Sequence, residues 1–152
     1  MSHLTLRAAC IAALLTVPAT AAFAQSELDR FEAASERVTA LTYQGIAAQY
    51  GVDASVFPDA AWDRPMRRAG RCILRAYESE VGSDGVEVFL SGFETAVQSA
   101  SPTAILDGSF SGQLPEGLTQ QRQQQIANEC GMLELEMTRL AESGVLQALQ
   151  NQ

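Results

Sequence analysis

Five arginines, Arg64, Arg67, Arg68, Arg71 and Arg75, stand within twelve residues, and Cys72 lies among them. Each guanidinium is a planar fork of donors suited to bidentate recognition of carboxylate or phosphate. At about 100° per helical residue the five fall within roughly 100° of arc. Ala69, Cys72, Ile73, Ala76 and Tyr77 fall on the other side. The spacing therefore predicts one helix with a wet arginine stripe and a sulfur turned toward the core. As chemistry, the stripe is a contact face for an acidic protein partner or an anionic ligand. Its structural counterpart is neutralisation by Glu32, Glu36, Glu134 or Glu136 of neighbouring helices, where surface pairs add little stability each.

Other chemistries are narrowed by the N-terminus. Arg7, the apolar run Ala8–Val17, Pro18 and then Ala22-Phe23-Ala24 have the form of a cleaved signal peptide over residues 1–24. Cys10 opens the apolar run rather than following it, which does not fit lipidation. Cleavage before Gln25 leaves one domain, 25–152, with nine Arg, no Lys and eighteen Asp plus Glu, a net charge of −9. An acidic total argues against nonspecific nucleic-acid binding, and no later run is long and apolar enough to span a membrane.

The sole histidine, His3, departs with the signal. Ser-His-Asp and Cys-His catalysis and imidazole zinc sites go with it. No catalytic set, metal site or cofactor site stands out. Glu78/Glu80 and Glu134/Glu136 are two apart and point to different helix faces. A carboxylate-based hydrolase would have to assemble its acids from distant residues.

Cys72 and Cys130 remain, and in an oxidising compartment, here expected to be the periplasm, they read as a disulfide. Both sit on apolar stripes, so burial is expected. There is no Cys-x-x-Cys to suggest redox chemistry. Closing a loop of about 59 residues would stabilise the domain by about 4 kcal/mol in the chain-entropy model. Gly70 and Gly131 would let the two backbones approach.

The elements that must position these groups are helices. Leu28, Phe31, Val38, Leu41 and Gly45 or Ala48 mark a first helix ending near Tyr50, with Gly51 just beyond it. Asp63 and Pro65 open the second, and Gly82 closes it. Val86, Phe89, Leu90, Phe93, Val97 and Ala100 define a third, ended by Ser101-Pro102. Within it Gly92 suggests a close helix contact. Residues 103–117 read as a loop, either a plain crossover or a lid. Thr119 caps the last long helix, whose seam is Ile126, Cys130, Leu133, Met137 and Leu140, with a break at Ser143-Gly144.

The expectation is an all-α, four-helix bundle-like single domain stapled by one interhelical disulfide. Its function would be non-enzymatic binding through the Arg64–Arg75 face. In general plan (exported, small, helical, Cys72 joined to Cys130) the chain is similar to acid-stress periplasmic chaperones of the HdeA type. That resemblance implies an alternative: a protein that opens as its carboxylates are neutralised and its arginines repel one another.

Overall fold

The computed structural model describes the backbone of residues 19–151 and the side chains of residues 27–151. Of the expected signal peptide, residues 1–18 lie outside the described residues. Among those described, the fold is all-α, with six helices and no strand.

α1, Ala19–Tyr50, buries Leu28, Phe31, Ala34, Leu41 and Ala47 along one side. It ends as its sequence dictates. Gly51 takes φ +64°, and the Val52 N–H returns to the Ala47 carbonyl at 3.1 Å, closing a Schellman cap over buried Val52. A 3-10 turn at Ala54–Val56 follows, with Asp53 accepting from the Ser55 N–H.

α2, Arg64–Ser99, starts on an Asp63 cap that accepts from the Met66 N–H at 2.9 Å, with Pro65 in the first turn. It merges the expected second and third helices. Gly82 (φ 71°, ψ 175°) is non-helical, so the first limb ends there as expected, and the second limb follows at once across the kink. Met66, Ile73, Leu74 and Tyr77 from the first limb and Val86, Phe89 and Leu90 from the second build the centre of the core.

The setting of the first limb about its axis differs from expectation. Its buried side is Met66, Ala69, Gly70, Ile73, Leu74 and Tyr77, turned about 60° from the expected stripe at 100° per residue. Gly70 is the cause. A Cβ there would lie 2.4 Å from Trp62 Cζ3 and 3.2 Å from Leu28 Cδ1, so only glycine lets the indole lie across the helix against α1. Gly70 thus seats Trp62 and does not serve the disulfide.

Ser101-Pro102 ends α2 and also opens α3, Pro102–Leu106, where Ser101 Oγ accepts from the Ala104 N–H. The expected loop therefore begins as a helix, which packs on α1 at Gly45. The rest is a fitted strap. Phe110 meets Phe93 edge-on at 6.3 Å, and Pro115 and Leu118 are buried. A Cβ on Gly92 would sit 2.7 Å from the Gln113 carbonyl oxygen. The close contact at Gly92 is thus with this strap and not with a helix.

The last long helix is divided. α4, Gln120–Glu129, is capped by Thr119 and ends at Cys130. Gly131 turns through φ 75°, α5 runs Met132–Ser143, and α6 runs Val145–Gln150 beyond Gly144. The left-handed Gly131 shifts the register, so Met132 and Leu135 face the core while Leu133 and Met137 stay about half exposed, at 50% and 48%. The heptad seam holds for Ile126 and fails after the break.

The disulfide joins Cys72 of α2 to Cys130 at the end of α4, with Cα atoms 5.7 Å apart. Neither half is buried: Cys72 is exposed and Cys130 half-buried. The turned α2 puts Cys72 on the flank of the helix, so the staple crosses the rim of the core. Replacing both cysteines by serine is expected to leave the helical circular dichroism intact. Unfolding stability should fall by about 4 kcal/mol in urea titration, because the main loss is the constraint on the unfolded chain. A change below about 1 kcal/mol would contradict this.

Candidate functional site

The arginine stripe forms, with one defection. Arg64, Arg68, Arg71 and Arg75 are exposed on the outer side of α2. At 1.5 Å per residue they make a ridge about 16 Å long. Arg67 lies at the edge nearest α1 and is drawn inward, donating to Asp29 Oδ1 at 2.9 Å and to Glu32. These two hydrogen bonds also hold its guanidinium firmly protonated.

Two other arginines are spent in the same way. Arg30 of α1 donates to Glu87 and Glu94 on the second limb of α2, at 2.6 to 3.1 Å, and pulls both carboxyls below the usual carboxylate range. Arg122 of α4 binds Glu80 at 2.5 Å and Glu129 at 3.2 Å. Six carboxylates are thus committed to three arginines. Among the described residues, Arg64, Arg68, Arg71 and Arg75 form no ion pair. Of the carboxylates expected to neutralise the stripe, only Glu32 does so, through Arg67. Glu36 instead accepts the Trp62 backbone N–H at 2.6 Å.

On the opposite side of the same limb is a feature the sequence did not announce. A cavity of about 510 Å³ opens between α1, α2, α4 and α5, floored by Phe31, Ile73, Tyr77 and Phe93, with Trp62 and Glu136 among its walls. Phe31 is the hub. It meets Trp62 edge-on at 5.5 Å and Phe89 at 5.9 Å. A second cavity of about 230 Å³ beneath the 110–114 strap shares Tyr77, Phe93 and Gln123 with the first. The amides of Gln123, Gln124 and Asn128 edge the opening.

Glu136 is the one carboxyl among the residues lining the larger cavity. Burial raises its carboxyl above the usual range, and Arg139 one turn on only partly opposes the shift. The Arg139 guanidinium is turned elsewhere. It donates to the Asp59 carbonyl at 2.5 Å and the Ala61 carbonyl at 3.1 Å, and lies against Met66 Sδ. Burial likewise pushes the Tyr77 phenol up to about 12. In the sequence Glu136 reads as a carboxylate facing the arginine stripe, because a continuous helix through Cys130 puts Leu133 and Met137 inward. The αL turn at Gly131 swaps them for Met132, Leu135 and Glu136. Cys130-Gly131 was the available signal.

The carboxylates do not converge for two-acid chemistry in this cavity, where Glu136 stands alone. Among the described residues, no group of three or more His, Cys, Asp or Glu is placed to hold a metal ion, and no helix is long and apolar enough to cross a membrane. Compared with known proteins, the chain matches no family model, and no curated protein or solved structure matches it.

Proposed function

We propose that this is an exported, periplasmic, non-enzymatic protein that works by binding, and that the ridge Arg64, Arg68, Arg71 and Arg75 is its contact with an acidic protein segment. One observation carries the reading. In a chain of net charge −8, three arginines take up two carboxylates each, while four neighbours on one helix face pair with none among the described residues. A ridge about 16 Å long matches about five residues of extended chain at 3.3 Å each. Fork-like donors at that spacing suit a run of side-chain carboxylates.

The test is binding of a fluorescent glutamate-rich peptide at low salt. Reversing Arg64, Arg68, Arg71 and Arg75 to Glu is expected to abolish binding with the helical circular dichroism unchanged. Reversing exposed Arg37 of α1 should weaken it far less, and wild-type binding should fade as salt screens it. Equal binding by the ridge variant and the wild type would refute the proposal.

A second reading, the acid-stress chaperone, is favoured by how α1 is lashed to α2. Both clamps, Arg30 with Glu87 and Glu94, and Arg67 with Asp29 and Glu32, use carboxylates. The depressed Glu87 and Glu94 contribute stability that is present above the ordinary carboxyl value of 4.5 and is lost as pH falls through their lowered values. Glu27 and Glu136, both raised, run the other way and are relieved by acid. Loosening of the Arg30 clamp therefore belongs well below pH 4.5, where Glu87 and Glu94 are protonated. Light scattering by an acid-denatured client enzyme at about pH 2–3 should be suppressed by the protein, and at pH 7 it should not. Undiminished scattering at about pH 2–3 would end this reading.

A further inference from the structure

We propose that the aromatic cavity beside Trp62 and Glu136 is a binding site for a cationic amphiphile, an apolar chain ending in an ammonium head. This site is independent of the arginine ridge, since Ile73 and Tyr77 face it from the opposite side of α2. Its volume, about 510 Å³, falls in the range of small-molecule pockets. Its floor is apolar and aromatic, and the adjoining cavity under the strap continues the same surface through Tyr77 and Phe93. Exposed Leu133 at the mouth, with Met137 one turn on, extends the apolar path outward.

Charge selects the head group. Glu136 is a half-buried carboxyl that forms no ion pair among the described residues. Arg139, the cation nearest to it along α5, has its donors turned to Asp59 and Ala61. A half-buried carboxylate whose nearest guanidinium is turned away favours a ligand that brings a positive charge of its own. Trp62 and Phe31 add aromatic faces and edges to the same cavity, and a ring face attracts an ammonium. The rim amides of Gln123, Gln124 and Asn128 carry no charge that would repel it. An anionic amphiphile would place its head against Glu136, and a neutral one would leave that carboxyl unanswered.

Trp62 is the only tryptophan in the chain, so its emission reports the cavity directly. Octyltrimethylammonium, titrated below its micellar range, should change Trp62 fluorescence saturably, with a calorimetric stoichiometry of one. Octyl sulfate should not bind, and octanol should bind more weakly. Glu136→Gln, a neutral substitution of equal shape, should weaken the ammonium ligand at least about tenfold while leaving octanol unchanged. Ala127→Phe, which fills the cavity from α4, should abolish both. Octyl sulfate binding as well as the ammonium, an unchanged affinity in Glu136→Gln, or no saturable response would each overturn the proposal.

Discussion

The fit of Trp62 over Gly70 is the contact on which the rest of this structure depends. Without a Cβ at Gly70, the indole can lie across the first turns of α2 and meet Phe31 of α1. A helix gripped at that point is fixed in rotation as well as in position. Everything α2 presents then follows from one angle: Ile73 and Tyr77 toward the core and cavity, the arginine ridge outward, Arg67 toward α1, and Cys72 on the flank.

That single rotation explains why the charges separate as they do. Arg67 sits at the boundary and is captured by Asp29 and Glu32, while its neighbours one turn either side remain in water. Arg30 makes the complementary lashing to the far limb, beyond the Gly82 kink. The two clamps hold α1 along both limbs of α2. On the other flank the disulfide holds the junction of α4 and α5, so the cavity between them has a wall anchored by covalent chemistry and a floor set by aromatic packing. The cross-link is a rim staple, and its contribution comes from chain constraint rather than from buried contacts.

Much of this was legible in the residues. Apolar spacing gave the long helices, and Asp63 and Thr119 marked starts where their side chains do accept from the following turn; Ser101-Pro102 marked only an end, although Ser101 also caps α3. Gly51 and Gly144 marked ends, and two cysteines in one domain marked their own pairing. What escaped was rotation and register. Taking Cys72 as inward gave Gly70 to the disulfide and left out Leu74, and the burial of these two turns the helix by about 60° at 100° per residue. Reading a seam through Cys130 took Gly131 as room for the disulfide rather than as a left-handed turn, and so set Glu136 toward the arginine stripe. The cavity was invisible for a further reason: Phe31, Trp62, Tyr77 and Glu136 are far apart in the chain, and only the packed helices bring them to one place.

The most direct measurement is the joint effect of Gly70→Ala on unfolding stability and on the emission of Trp62. At an exposed mid-helix site this exchange would raise stability by about 1 kcal/mol through helix propensity. Here the new methyl would stand 2.4 Å from the Trp62 ring. The account predicts a loss of about 1–3 kcal/mol from overpacking and a red shift as the indole is pushed toward water. A more stable protein with unchanged emission would contradict it.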